Sequence, residues 1–106
     1  MTLPWREHPA ASAEGYDAAE WYAEKDPELA ERFADSLRQS VEVLCEWPEA
    51  GSQEPWVDRM PLVRSMRVKG FPYRIVYVIH SGSVVVVAYA HERRRPGYWK
   101  ARLDDV

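Results

Sequence analysis

Cysteine is almost absent from this chain of 106 residues, which contains one, Cys45. A single cysteine excludes an intrachain disulfide, and this absence favours a reducing compartment. No charged-then-apolar leader opens the sequence, and no apolar run reaches the roughly 18 residues that a membrane span needs. We therefore expect a soluble, cytoplasmic protein with no membrane partner. Cys45 falls on the apolar face of a predicted helix, which predicts a buried and inert thiol.

Glycine-rich phosphate loops, nucleophile triads and metal-ligand spacing are also missing from the sequence. His8 and His80 have no partners at the spacing of metal ligands, so we expect neither a metal nor a cofactor. The length suits one hydrophobic core and is too short for two. The sequence therefore predicts a single domain over residues 1–106.

The net charge of −3 conceals a division between the two halves of the chain. Residues 1–55 carry 13 acidic and 4 basic side chains, a net charge of −9, and residues 56–106 carry 4 acidic and 10 basic, a net charge of +6. This asymmetry favours a basic face for an anionic partner and an acidic helical face elsewhere. The alternative is an ordinary solvated surface.

Two amphipathic helices are predicted in the acidic half. Small and aromatic residues at helical spacing predict a first helix from about Ala10 to Lys25. Asp26-Pro27 then begins a second helix, because aspartate caps free amides and proline is tolerated at the first helical position. Apolar residues at steps of three and four continue it to about Glu46, and Pro48 ends it. The two helices are expected to form an antiparallel hairpin.

Strands are predicted at the start of the chain and in its second half. Leu3–His8 is predicted as an edge strand, because Pro4 cannot donate to a ladder. Alternating and β-branched residues predict three more strands, the last two joined by a Ser81-Gly82 turn: Leu62–Lys69, Tyr73–His80 and Val84–His91. The stretch from Pro48 to Pro61 is predicted to be a loop. The fold class is α+β: an N-terminal edge strand, and a helical hairpin packed on one face of a mostly antiparallel sheet of three to four strands.

Reactive and basic side chains concentrate at the end of the last predicted strand. The run from His91 to Arg102 contains a histidine, four arginines, a lysine, a tyrosine and a tryptophan. Such a group can bind phosphate, stack on bases and transfer protons. Alternatively, His91 is a hydrogen-bonded strand end, and the segment 96–99 only anchors the tail to the sheet.

Five segments, in this order and at this spacing, resemble the RelE/ParE superfamily of toxins from type II toxin–antitoxin systems. They are residues 26–33, the helix end from Leu44 to Gly51, Arg64 with Arg67-Val68, residues 71–77 and residues 90–94. The resemblance implies a small α+β toxin, which a cognate antitoxin neutralises by wrapping an extended or helical C-terminal segment around it.

Within this superfamily, RelE-like members cleave mRNA in the ribosomal A site, whereas ParE-like members block DNA gyrase. The long helical hairpin is similar to the ParE branch, and the C-terminal cluster is similar to a nuclease. We expect ribosome-dependent mRNA cleavage, with inhibition of gyrase as the first alternative. A non-toxic nucleic-acid-binding module is the second alternative, which only the basic tail supports.

The resemblance implies a site for metal-independent RNA cleavage. Such cleavage needs a deprotonated 2′-hydroxyl, a protonated leaving oxygen and a stabilised phosphorane charge. Arg74 matches the position where RNA-cleaving members place a phosphate-stabilising residue, although it could instead pair with Glu92 or with an acid of the hairpin. The predicted catalytic residues are Arg67, Arg74, His91, Arg94 and Tyr98. The residues predicted to contact nucleic acid are Lys69, Arg93, Arg95, Trp99 and Lys100.

The antitoxin is expected to cover the basic sheet face and the helical hairpin. An acidic antitoxin tail would neutralise arginines, and its apolar residues would cover exposed tryptophans. The predicted antitoxin contacts are Trp21, Trp47, Arg64, Arg67, Arg93 and Arg94. Exposed aromatic residues also favour protein interfaces, so Trp21, Trp47 and Trp56 are candidates for docking on gyrase in the alternative function.

Overall fold

A helical hairpin lies on one face of a five-stranded sheet in this computed structural model, which describes residues 2–55, 57 and 60–106. The strand order is β1-β5-β4-β3-β2, with β1 parallel to β5 and the other pairs antiparallel. The predicted α+β fold is confirmed. Its elements are β1 (Trp5–Glu7), α1 (Pro9–Lys25), α2 (Pro27–Glu46), β2 (Ser52–Gln53), β3 (Val63–Arg67), β4 (Tyr73–His80), β5 (Ser83–His91) and a C-terminal 3₁₀ helix (Lys100–Asp105).

The two helices begin at the capping residues that their sequence contains. The Asp26 carboxylate accepts the Glu28 amide at 3.0 Å, and Pro27 follows it as the first residue of α2. His8 caps α1, because its Nδ1 accepts the Ala10 amide at 3.0 Å. α1 therefore begins at Pro9, one residue earlier than predicted. The sequence did not indicate this start, because histidine is not a preferred capping residue.

The last two strands confirm the predicted hairpin. β4 has the predicted bounds, and β5 begins one residue earlier than predicted. Ser81 and Gly82 have φ angles of 49° and 76°, and two positive φ angles suit a two-residue turn whose twist matches that of the strands.

The predicted loop between Pro48 and Pro61 contains β2, which pairs with β3 and adds the fifth strand. The Tyr77 hydroxyl fixes the preceding residues: it donates to the Pro48 carbonyl at 2.8 Å and accepts the Gly51 amide at 2.9 Å. A Cβ atom at Gly51 would lie 2.6 Å from the Tyr77 oxygen, so only glycine fits there. A strand of two residues has too little periodicity to be predicted from the sequence.

Both faces of the sheet are covered. One face packs Ile75, Tyr77 and Val86 against Leu44 and other residues of the helices. The opposite face packs side chains of β3, β4 and β5 against two residues of the C-terminal segment, Trp99 and Leu103. The helical cover of the first face was predicted, whereas the C-terminal segment was expected on the sheet only as an alternative and without a face assigned to it.

Candidate functional site

Along part of the outer edge of β5, backbone groups are hydrogen-bonded by side chains and not by a neighbouring strand. β1 pairs with Val84 to Val86, after which the chain turns into α1. Beyond that point, Glu14 Oε1 accepts the Tyr89 amide at 3.1 Å, and Arg102 Nη1 donates to the Val87 carbonyl at 3.0 Å. Two backbone groups that a neighbouring strand would pair are thus satisfied by α1 and by the C-terminal segment.

Glu14 also binds the C-terminal segment directly. Arg102 donates to both oxygens of its carboxylate at 2.9 and 3.1 Å, and the Tyr98 hydroxyl donates to Oε2 at 2.6 Å. The side chains of Glu14 and Arg102 are only 17% and 18% exposed. Burial and the hydrogen bond to Glu14 raise the pKa of Tyr98 well above its usual value. The Tyr98 hydroxyl therefore stays protonated at neutral pH and is occupied as a donor.

A cleft of about 470 Å³ opens between α1 and the end of β5. Asp17, His91 and Arg94 line it together with Glu14. The remaining lining is mainly aromatic and consists of Ala18, Trp21, Tyr22, Pro72, Tyr73, Tyr89 and Tyr98. The cleft therefore suits an apolar or planar group more than a free ion.

A smaller, basic depression of about 160 Å³ lies between β4, β5 and the turn after β5. Arg74 Nε donates to Ser65 Oγ at 3.0 Å, and that hydroxyl donates to Glu54 Oε2 at 3.1 Å. This chain of hydrogen bonds orients Arg74 and leaves part of its guanidinium for a ligand. The depression is lined by the imidazole of His91 and by five charged side chains: Glu54, Arg74, Glu92, Arg94 and Arg95. Glu54 was not among the predicted site residues, because it lies in the stretch that was predicted to be a loop.

The structure brings four of the five predicted catalytic residues to this depression: Arg74, His91, Arg94 and Tyr98. Arg67 lies outside it and forms an ion pair with Glu92 at 3.0 Å, so Glu92 pairs with Arg67 and not with Arg74. His91 Nδ1 accepts the Arg93 amide at 3.0 Å, which leaves Nε2 as the ring nitrogen open to a ligand. His91 is thus a hydrogen-bonded strand end, as the sequence allowed.

One predicted nucleic-acid contact does not fit its location. Trp99 is 2% exposed and packs in the core, where no face of its ring is open to a base. Its position corresponds to the alternative function of the tail as an anchor on the sheet. The other four predicted contacts are exposed and remain predictions: Lys69, Arg93, Arg95 and Lys100.

The predicted antitoxin contacts lie in two places. Trp21 is 55% exposed at the aromatic cleft, close to the exposed Arg94. Trp47 is 65% exposed at the end of α2, and Arg64 lies in the same region because its Nη1 donates to the Gly51 carbonyl at 2.9 Å. Trp56, the third tryptophan proposed for docking, lies outside the described residues.

Other expectations concern chemistry away from these surfaces. Cys45 is buried on α2 as predicted, and desolvation raises the pKa of its thiol. In the part of the chain that the structure describes, no group of three or more His, Cys, Asp or Glu side chains could hold a metal ion. Over the same residues, no helix is both long and apolar enough to cross a membrane.

Comparison with known proteins identifies the family. The model of the ParE toxin of type II toxin–antitoxin systems (parDE) matches residues 6–96. A solved chain of the chromosomal ParDE TA system from P. aeruginosa has the same fold, with a TM-score of 0.69 and 15% sequence identity over 85% of this chain and 96% of that one. No curated protein is similar enough to count as a match. The chain belongs to the family of ParE toxins of type II toxin–antitoxin systems, which implies an antitoxin as its partner.

Proposed function

We propose that this toxin arrests growth by binding a protein target, DNA gyrase, and that it does not depend on RNA cleavage. The observation that carries the proposal is the hydrogen bond from the Tyr98 hydroxyl to Glu14. Cleavage without a metal needs one group that removes a proton and another that supplies one. The Tyr98 hydroxyl is bound to Glu14, and its raised pKa makes it a poor proton donor at neutral pH. His91 would then have to transfer protons without Tyr98, the other predicted catalytic residue suited to that role.

Exposed aromatic side chains support a protein-binding role. Trp21 and Trp47 project from the helical hairpin with more than half of their surface exposed, and Tyr16 is also exposed on α1. Tryptophan and tyrosine contribute much of the binding energy at protein interfaces. Membership of the ParE family supports gyrase as the target, because ParE-like members of the superfamily block this enzyme.

The decisive experiment follows DNA and protein synthesis by pulse labelling after the toxin is induced without its antitoxin. Early loss of DNA synthesis, with an SOS response and continuing translation, is the expected result. Early loss of translation with intact replication would contradict the proposal.

A gyrase supercoiling assay with purified toxin variants tests which side chains are needed for inhibition. The double variant Trp21→Ala/Trp47→Ala should inhibit more weakly than the wild-type toxin, whereas Tyr98→Phe should inhibit equally well after correction for the folded fraction. Equal inhibition by the tryptophan variant would exclude these side chains as the docking surface.

Ribosome-dependent mRNA cleavage is the second candidate, and the basic depression is the observation that favours it. Arg74 and Arg94 could stabilise a phosphorane there, with His91 and Glu54 as the groups that transfer protons. On this hypothesis Arg74→Ala should lower the cleavage rate by roughly 10²–10³, and the exposed Arg32→Ala should not change it. Absence of cleavage by the wild-type toxin on programmed ribosomes would eliminate this candidate.

A further inference from the structure

We propose that the arginine turn, the exposed segment from Arg93 to Arg95 that follows β5, binds the backbone of duplex DNA while the toxin is docked on gyrase. The proposal rests on gyrase as the target, and it adds the DNA that gyrase holds as a second ligand. This ligand is recognised by its phosphates, so the contact does not depend on the base sequence.

The arginine turn carries three positive charges that the protein does not neutralise. Among residues 2–55, 57 and 60–106, no ion pair involves Arg93, Arg94 or Arg95, and all three are exposed. The neighbouring acid, Glu92, is bound to Arg67 at 3.0 Å, so its charge is already offset. The turn is therefore free to attract a polyanion from solution.

The strand register brings another basic side chain to the same end of the sheet. Arg67 at the end of β3 lies opposite Arg74 at the start of β4, and Arg74 lies opposite Ala90 near the end of β5. Lys69 is exposed and follows Arg67 by two residues, so it also lies at this end. Neighbouring strands are about 4.8 Å apart, so positive charge extends over roughly 10 Å from β3 to β5. A duplex carries one phosphate charge per roughly 1.7 Å of its axis, so this width can contact more than one phosphate.

The aromatic residues within the C-terminal segment are not available to stack on unpaired bases. Trp99 is 2% exposed and packs in the core. Arg94 Cζ lies 3.9 Å from the centre of the Tyr98 ring and covers it, and the Tyr98 hydroxyl is bound to Glu14. Single strands are bound largely by stacking on aromatic rings, whereas duplex DNA is bound without sequence preference through its phosphates. The chemistry of the turn therefore fits duplex DNA better than single-stranded RNA.

A proposed gyrase contact lies next to the arginine turn. Trp21 and Arg94 line the same cleft, together with Asp17. Asp17 and the other acids of the helices repel a polyanion, so DNA should approach the turn and not the helical hairpin. A partner that covers Trp21 and holds DNA would bring that DNA within reach of Arg94. The DNA contact then becomes intramolecular, so even a weak contact strengthens the complex.

Binding to DNA is measured first without gyrase, by fluorescence anisotropy of a labelled duplex of about 20 base pairs. The variant Arg93→Ala/Arg95→Ala removes two charges of the turn, and the control Arg32→Ala/Arg38→Ala removes the same charge from α2. The logarithm of the affinity should fall with the logarithm of the salt concentration with a slope of about −3 for the wild type and the control. The slope should be about −1 for the turn variant, since each phosphate contact contributes about −0.9. Equal slopes for the two double variants would overturn the proposal.

A single-stranded RNA of the same length separates recognition of phosphates from recognition of bases, and it needs only the wild-type toxin. We expect the duplex to bind about tenfold more tightly at low salt, because its phosphates are more densely spaced and no ring of the C-terminal segment stacks on a base. Tighter binding of the RNA would overturn the proposal and favour a site for unpaired bases.

Titration with gyrase separates this proposal from the choice of gyrase as the target. With gyrase alone, the wild-type toxin and Arg93→Ala/Arg95→Ala should have equal dissociation constants. With gyrase bound to duplex DNA, the wild type should bind about tenfold more tightly than the variant. Equal affinities for the gyrase–DNA complex would overturn the DNA contact and leave gyrase as the target. If the wild type bound neither form of gyrase, the target would be wrong, whereas a retained difference in slope on free duplex would still support the arginine turn as a DNA contact.

Discussion

At the scale of single residues, Glu14 joins three parts of the molecule. Its carboxylate connects α1 to β5 through Tyr89, and to the C-terminal segment through Tyr98 and Arg102. Glu14→Ala leaves the largely buried Arg102 guanidinium without its counter-charge. We expect the free energy of unfolding to fall by about 3 kcal/mol, measured by urea denaturation.

Two further variants provide comparisons for the loss of stability expected of Glu14→Ala. Tyr98→Phe removes one hydrogen bond to a charged group and should lower the free energy of unfolding by about 1.5 kcal/mol. Glu20→Ala changes an exposed acid on the same helix and should stay within about 0.5 kcal/mol of the wild type. If Glu14→Ala were no more destabilising than Glu20→Ala, the carboxylate would not be joining these elements.

Stability at high pH depends on the same region. Burial and hydrogen bonds to carboxylates raise the pKa of both Tyr89, bound to Glu7, and Tyr98, bound to Glu14. The unfolded chain releases these phenol protons near pH 10, whereas the folded chain retains them. The stabilisation is therefore complete below pH 10 and falls as the pH rises beyond it. We expect the free energy of unfolding to decrease by about 1.4 kcal/mol per pH unit for each of the two tyrosines.

Urea denaturation between pH 9 and pH 11.5 measures this slope. Tyr98→Phe should reduce the slope by the contribution of one tyrosine, about 1.4 kcal/mol per pH unit. A slope that is the same in Tyr98→Phe and in the wild type would show that Tyr98 is not protected from ionisation.

At the scale of elements, the C-terminal segment is a structural cover for the second face of the sheet. Trp99 and Leu103 pack on side chains such as Val76 and Val85. Trp99→Ala should lower the free energy of unfolding by about 3–5 kcal/mol, because truncating a buried ring leaves a cavity. The exposed neighbour Lys100→Ala should change it by no more than about 0.5 kcal/mol. Chemical denaturation of both variants measures the difference, and equal stability would assign the cover to other residues.

The elements with strong periodicity or specific turn chemistry could be predicted from the sequence. Asp26-Pro27 determined the break between the helices, and Ser81-Gly82 determined the β4–β5 turn. The cover of the second sheet face was predicted only as the alternative in which the segment 96–99 anchors the tail to the sheet, although the unbroken apolar run from Val84 to Tyr89 is typical of a strand buried on both sides. The run shows that a cover exists but does not identify the segment that supplies it.

The candidate site was only partly predictable for a related reason. His91, Arg74 and Arg94 were found because they are reactive residue types close to a strand end. Glu14 was missed because a single acid on an amphipathic helix is usually solvated, and its partners are more than 70 positions away in the sequence. The ladder between β4 and β5 also contains an extra residue, Val87, where its register shifts. Such a bulge has no signature in the residue types of this strand.

At the scale of the whole molecule, the charge division along the sequence becomes a division between the helices and one end of the sheet. α1 and α2 contain most of the acids, whereas the turn after β5 carries three consecutive exposed arginines. Not every basic residue is free to attract a partner: Arg102 is bound to Glu14, and Arg67 is paired with Glu92. The exposed turn at Arg93–Arg95 is therefore where an acidic antitoxin segment would experience the strongest attraction.

This location predicts how binding of the antitoxin depends on salt. The double variant Arg93→Ala/Arg94→Ala should bind about tenfold more weakly at low ionic strength, and its affinity should fall less steeply as salt is added. The matched control Arg32→Ala/Arg38→Ala removes the same charge from α2, where Arg38 already contacts Asp35 and Glu42. Titrations from about 0.05 to 0.5 M NaCl should separate the pairs, because only the first removes charge at the predicted contact. If both double variants changed the salt dependence equally, net charge alone would attract the antitoxin, and the arginine turn would have no specific part in binding.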